Sequence, residues 1–391
     1  MLNDKSILNP VELDKARIRY RQFLNSTRKG EFDFALTPRA ECTSYARCFA
    51  IFGYGLLRDD LDRYACGLAQ KMVQDLDSFK IIRGEVCRNL INDKPYMQLL
   101  TFTLSALSIL GRLESNPLFN HIKDLMELKI DVELKKLGVF DGVPRSGNQA
   151  MFLAIVLLYA DIHGFNTGES VETWKNLHLN SINDFGFWGN KKSMSHLMFQ
   201  NGYHQYEIFE YLETPGVPWS LAADNVAKLS DSQGHFAPYP GGGGCYDYDA
   251  VFIITSAPSS FEKHQDLLKL TASKIMSEQN YDGGFCESKL IRPRSFANIV
   301  KTIDHIAKGR GSAKIERLRF GLTLLRPKHD RVHTHWSDYS REWGESDLWD
   351  SWFRMLTLAR IDCAFNPEHS KLWGFINFPG IGFHSSLRNE L

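Results

Sequence analysis

The 391-residue chain predicts an all-α protein, an α/α toroid of six to seven helical hairpins. Three observations lead there: an internal repeat near fifty residues, alternation of charged and apolar helical segments, and scarce strand signals. The repeat shows as seven apolar helical runs, each entered from polar or small residues. They are "CTSYARCFAIFGYGLL" from Cys42, "KPYMQLLTFTLSALSIL" from Lys94 and "RSGNQAMFLAIVLLYADI" from Arg145. "SMSHLMFQNGYHQYEIFEYL" follows from Ser193, "CYDYDAVFIITSA" from Cys245, "RSFANIVKTIDHIA" from Arg294 and "ESDLWDSWFRMLTLARI" from Glu345. Successive starts lie close to fifty residues apart.

Between these runs stand amphipathic, charged segments. "FEKHQDLLKLTASKIMSEQ" sets Leu267, Leu268, Leu270 and Ile275 at helical spacing among lysines and acids, and "SNPLFNHIKDLMELKIDVELKKLG" ends in the helix-stop Gly138. Each unit therefore reads as a charged outer helix, a Gly-rich loop and an apolar inner helix. The expected organisation is a helical extension over residues 1–40, the toroid over 41–365, and an aromatic, Gly-rich tail over 366–391 containing "WGFINFPGIGFHSS". Equal numbers of basic and acidic residues, 46 each, lack the basic excess of a nucleic-acid binder. The apolar run "MFLAIVLLYA" is too short to span a bilayer, and the first twenty residues hold no apolar signal region. With seven scattered cysteines and no CxxC pair, a cytoplasmic protein with reduced thiols is expected. The oligomeric state is left open.

The loops carry a resemblance. "QNYDGGF" (279–285), with "DSQGHF" (231–236), "NDFGFW" (183–188) and "VFDGVPRSG" (139–147), resembles the QxxDGGF/W loops of the terpenoid cyclase and protein prenyltransferase toroids. As periodicity the resemblance covers residues 40–365. It implies that the loops join outer to inner helices and that inner-helix N-termini face one cavity mouth. "CYDYDAV" resembles the DxDDTA acid motif of class II cyclases, which implies Asp247 as the proton donor. Cys245 and Tyr248 then stand where that motif has its other aspartates, and Asp249 where it has threonine. The same stretch resembles the zinc-binding "CYSFW" segment of prenyltransferases. Cys245 and Tyr246 match, Gly243 replaces the aspartate ligand, and His305 lies past the expected histidine. No cofactor is called for, and zinc is the one candidate.

Candidate residues follow from the inner-helix starts. In "YPGGGGCYDYDA" four glycines precede Asp247 and Asp249, suiting a backbone that passes close to a ligand. Acids there also stabilise a helix N-terminus with no further role. His196, Gln200, His204 and Glu207 share one helix face with Tyr203 beside them, a file fit for acid–base work or hydroxyl recognition. "HTHWSDYSREWGESDLWDSWFR" offers His333 and His335 as weak metal ligands, Asp347 as a carboxylate, and Trp336, Trp343 and Trp349 as a stacking platform. Arg47, Arg145 and Arg354 sit in or near inner-helix starts and suit a carboxylate or phosphate, or plain ion pairs.

Two enzymatic readings and one structural reading result. The first is an isoprenoid enzyme, cyclase- or prenyltransferase-like, with an aromatic cavity and Asp247 as acid. The second is a carbohydrate-active toroid, an epimerase, lyase or hydrolase, with Asp247 and Asp347 as the carboxyl pair and His204 in acid–base work. The third is a helical-repeat scaffold without catalysis. Both enzymatic readings imply a small-molecule partner.

Overall fold

Turn chemistry sets the period. At Asn183, Asp231 and Asn280 the backbone N–H donates to the carbonyl four residues on, at 2.8, 2.7 and 2.8 Å. In each turn the glycine at the fourth position returns a bond to the first residue's carbonyl, with φ of +81° at Gly186, +84° at Gly234 and +90° at Gly283. Only glycine adopts that left-handed conformation without strain. Asn183 Oδ1 and Asp231 Oδ1 each accept two further N–H groups of their own turn, an Asx cap that favours these residue types. One turn geometry thus recurs after 48 and then 49 residues.

The computed structural model describes residues 9–87, 89–115, 118–190, 192–290, 295–324 and 335–385. Arg294 and His333 lie outside these. The described residues form helices and isolated bridges, with no named strand. Outer α1 (Pro10–Thr27) leads into inner α2 (Ser44–Leu56), and outer α3 (Asp62–Val86) into inner α4 (Lys94–Ile109). Outer α5 (Phe119–Met126) and α6 (Ile130–Leu137) precede inner α7 (Ser146–Ile162), and outer α8 (Gly168–Asn180) precedes inner α9 (His196–Tyr211). Outer α10 (Trp219–Ala227) precedes inner α11 (Gly244–Ser256), and α12 (Pro258–Lys263) with α13 (Gln265–Ser277) forms the sixth outer layer. A hairpin of α14 (Phe296–Lys308) and α15 (Gly311–Leu324) intervenes before the last inner helix, α16 (Leu348–Phe365).

Inner helices pack in sequence: α2 on α4, α4 on α7, α7 on α9, α9 on α11, α11 on α16, and α16 back on α2. The neighbour contacts therefore close a cycle, and outer helices back it: α1 touches α2 and α16, α10 touches α11, and α13 touches α16. Within the expected N-terminal extension, α1 packs on α2 and α16. Side chains around the whole circumference of the inner helices are buried, which is why their sequences carry few charges. Gly147 permits the tightest crossing, since a Cβ there would lie 1.8 Å from Asn201 O.

The repeat start at Arg294 does not lead to an inner helix. Its helix, α14, pairs with α15 outside the cycle and buries only His305. Residues 286–346 are an insertion in the sixth unit, closed at its base where Asp347 N–H donates to Phe285 O at 3.1 Å.

Aromatic rings fill the interior between α2, α4 and α16. Trp336 and Trp349 lie 4.5 Å apart, Phe49 meets both at 5.2 and 5.0 Å, and Phe52 meets Trp352 at 4.8 Å. The tail closes the opposite end. Trp373 Nε1 donates to Asp362 Oδ2 at 2.9 Å, and Phe375, Phe378, Ile381 and Phe383 are buried.

Candidate functional site

At the N-terminal ends of α9, α11 and α16 lies a cavity of about 220 Å³, lined by Gln200, Tyr239, Cys245, Tyr246, Glu287, Arg341, Trp349 and Asp350. The four glycines shape its wall. Gly241 and Gly242 take φ of +86° and +76°. A Cβ on Gly243 would stand 2.0 Å from the Tyr239 hydroxyl, and one on Gly244 would stand 2.7 Å from Asp350 Oδ1. The run therefore lets two polar side chains press against main chain. α11 opens without a side-chain cap, so its first N–H groups have no local acceptor.

Three charged groups organise the rim. Arg341 Nη1 donates to Asp347 Oδ2 and, at 3.3 Å, to Asp350 Oδ2, while Nη2 reaches Glu287 Oε2 at 3.4 Å. The Tyr239 hydroxyl donates to Glu287 Oε1 at 2.7 Å. Asp347 is the α16 N-cap and accepts from Asp350 N at 2.9 Å. Burial and the adjacent Asp347 charge push the Asp350 pKa well above the carboxylate range, because Arg341 gives its closest contact to Asp347. Asp350 and the ion-paired Glu287 thus share one arginine in unlike surroundings, Asp350 buried against a second carboxylate and Glu287 nearer the surface.

One turn below Cys245 sits Asp249, near Tyr203, Glu207 and Tyr248. Asp249 Oδ1 and the Tyr248 hydroxyl have no hydrogen-bond partner among the described residues, the Tyr203 hydroxyl faces Glu207, and all four side chains are buried. Burial raises Glu207 to about 8, and burial with the Glu207 charge raises Asp249 well above its ordinary value. Glu207 therefore carries its proton at neutral pH.

Asp247 departs from the expected proton donor. His235 Nδ1 donates to its Oδ2 at 2.8 Å, Arg354 Nη1 donates at 2.5 Å, and Phe236 N donates to Oδ1 at 2.9 Å. Burial pushes its pKa upward, but the His235 and Arg354 charges hold it below the ordinary value. An aspartate pinned as the anion has no proton to give. His235 also donates through Nε2 to Glu278 at 3.1 Å, and the two carboxylates outweigh burial and raise it to about 10. Arg354 spans onward, with Nη2 donating to Gly241 O and Glu287 O, both at 3.0 Å. Its role is to clamp the glycine run and Glu287, rather than to receive a ligand.

The file on α9 divides. Gln200 reaches the cavity, and Tyr203 and Glu207 lie beneath it. His196 is a core histidine: its Nδ1 donates to Phe236 O at 2.9 Å and Arg317 Nε donates to its Nε2 at 3.3 Å. His204 accepts from Asn148 Nδ2 at 2.8 Å, and burial, with Lys94 nearby, lowers it to about 3, so it is neutral. Tyr246 and Trp349 line the cavity. Trp336 does not form a platform, being 3% exposed with its Nε1 donating to Gln98 Oε1 at 3.3 Å. Trp343 packs beside Tyr239. Arg145, exposed at the start of α7 with φ +73°, neighbours the half-buried Lys94, whose pKa burial and Arg145 lower. Lys94 has no ion-pair partner among the described residues. Arg47 is spent on Asp33 and Asp75.

Asp347 is a helix cap and ion-pair anion, so the carboxyl expected there is displaced to Asp350. Glu287 and Arg341 escaped the sequence reading. Among the described residues no group of three or more His, Cys, Asp or Glu is placed to hold a metal ion, so Cys245 and His335 lack a ligand set. A larger cavity of about 420 Å³ lies at the opposite helix ends, but its Arg360 is consumed by Glu210, Thr255, Ser256 and Phe383 O. Comparison with protein-family models, curated proteins and solved structures returned no match for this chain.

Proposed function

We propose that the cycle of inner helices is a closed α/α toroid. We propose further that the cavity at its N-terminal mouth performs acid–base chemistry on a small, hydroxyl-rich ligand such as a sugar or uronate unit. One observation carries this reading: Asp350 and Glu287 hold a common Arg341 at the rim of one cavity, where burial and the Asp347 charge raise the Asp350 pKa. Asp350 acts as general acid and Glu287 as general base, with Gln200, Tyr239 and Tyr246 offering groups that bond hydroxyls. The volume, about 220 Å³, falls below the range of about 300–1,000 Å³ typical of drug-sized ligands and suits one small unit. The isoprenoid reading draws less support, because the aromatic rings pack on one another instead of lining a chamber.

The test is a thermal-shift screen followed by turnover assays. Monosaccharides, uronic acids and oligosaccharides form one panel, and isoprenoid diphosphates the other. A true ligand at a hundred times its Kd adds about 2.7 kcal/mol. The expected result is stabilisation by the first panel, with Asp350→Asn and Glu287→Gln each lowering kcat by about 10²-fold or more while Tm changes little. Stabilisation by the isoprenoid panel alone would transfer the cavity to the other reading.

A further inference from the structure

The α14–α15 hairpin presents an apolar face to solvent. Phe296, Ile299, Val300 and Ile303 follow the i, i+3, i+4, i+7 pattern on α14 and are 84, 48, 48 and 61% exposed. Ile315, Leu318 and Leu322 repeat the pattern on α15 at 54, 47 and 56%. Seven of the 21 large exposed hydrophobics among the described residues thus fall on one hairpin, a concentration that marks an interaction surface.

The other side of the hairpin is firmly seated. Arg317 donates to His305 O at 2.9 Å and Leu229 O at 2.7 Å, Glu316 accepts from His196 N at 2.6 Å, and Phe320 packs on Tyr239 at 4.5 Å between centroids. The apolar stripe therefore cannot turn inward without breaking buried polar contacts.

Charge selects the occupant. Residues 295–324 hold six Lys or Arg and two acids, a net of +4 in a chain whose formal charge is zero. Lys301, Lys308, Arg310, Lys314 and Arg319 are exposed, against the one exposed acid, Asp304, which Lys308 holds at 2.7 Å. On helical geometry Lys314 and Arg319 flank the α15 stripe on both sides. Two such faces brought together would repel, which disfavours self-association. A nucleic acid would gain nothing from seven bare aliphatic and aromatic side chains. Apolar residues bordered by long cationic side chains fit an interface of acyl chains below and anionic headgroups above.

We propose that the α14–α15 hairpin docks this protein on the surface of an anionic lipid bilayer. The hairpin's seated side lies beside the mouth cavity, since Phe320 rests on the cavity residue Tyr239.

Flotation of the full chain with vesicles tests this. One set is phosphatidylcholine alone and the other contains about 30 mol% phosphatidylserine, each at low and high salt. The unaltered chain is expected to float with anionic vesicles, more weakly at high salt, and not with neutral ones. The triple reversal Lys301→Glu, Lys314→Glu, Arg319→Glu should reduce partitioning by about a hundredfold. Phe296→Ser with Ile303→Ser should also detach the protein, and circular dichroism should show both variants folded. Absence of binding to either vesicle, or binding that survives both variants, overturns the proposal. So does light scattering that shows a dimer converted to monomer by the serine variant, which would give the face to a second copy.

Discussion

Replacing Glu207 by Gln should stabilise the protein at neutral pH and flatten its pH dependence. Burial raises the carboxyl from 4.5 to about 8, outweighing the opposing pull of the Tyr203 hydroxyl and Arg360. At pH 7 the folded chain must keep a proton that the unfolded chain has released. The cost is 1.36 × (7 − 4.5), or about 3 kcal/mol, and Gln avoids it because an amide does not ionise. Because the folded pKa is raised, the associated stability is complete below pH 4.5 and lost as pH rises through about 8. A domain of 391 residues has an unfolding entropy that converts this gain into about 4 °C of Tm. The amide must still find a partner, and the Tyr203 hydroxyl, which already faces the carboxyl, supplies one. Urea melts at pH 5, 6, 7 and 8 make the assay, read as the difference between variant and parent. The difference should grow steadily with pH. Parallel pH profiles would refute the buried, protonated carboxyl, whatever the offset between them.

Three further outcomes follow. Gly243→Ala places a methyl 2.0 Å from the Tyr239 hydroxyl and should cost about 1–3 kcal/mol; adding Tyr239→Phe should recover part of that in a denaturant melt, and no recovery would locate the clash elsewhere. His235→Ala removes one of the two cations between buried Asp247 and Glu278, leaving them to Arg354 alone, and should cost about 3–5 kcal/mol by chemical denaturation. Since His235 is raised from 6.5 to about 10, its stabilisation is full below pH 6.5 and disappears as pH passes 10, so the parent and variant curves should converge in alkali.

The period was legible because the turns demand specific chemistry: an Asx residue followed by a left-handed glycine recurs at 183, 231 and 280. The inner helices were legible because burial on every side removes charge from their bodies. The segment from Arg294 misled, since its apolar residues share the 3.6 period of the others. Its discriminating mark was present in Lys301, Asp304 and Lys308, which sit within the helix body where inner helices hold apolar residues. Asp247 was placed correctly at an inner-helix start, yet its chemistry depends on Arg354, 107 residues away, and no local pattern announces an ion pair of that separation. Asp350 could have been found: Asp347 followed three residues later by a second acid is a capping pattern that orients both carboxyls at one helix end.

What escaped the repeat turns out to hold the candidate chemistry. Gln200, Cys245 and Tyr246 come from periodic units, whereas Glu287 and Arg341 come from the two ends of the 286–346 insertion. The bridge between Phe285 and Asp347 brings those ends together at the first turn of α16, where Asp350 stands. Arg354 then ties the glycine run to Glu287 through their carbonyls, so the periodic wall and the inserted rim share one buried guanidinium. A scaffold built from repeats presents near-equivalent helix ends around its mouth. An insertion at one unit breaks that equivalence by placing Glu287 and Arg341 beside the first turn of α16, where Asp350 stands. The same insertion bears the amphipathic hairpin, whose seated side meets the cavity at Tyr239, which touches Glu287 on one side and Phe320 on the other.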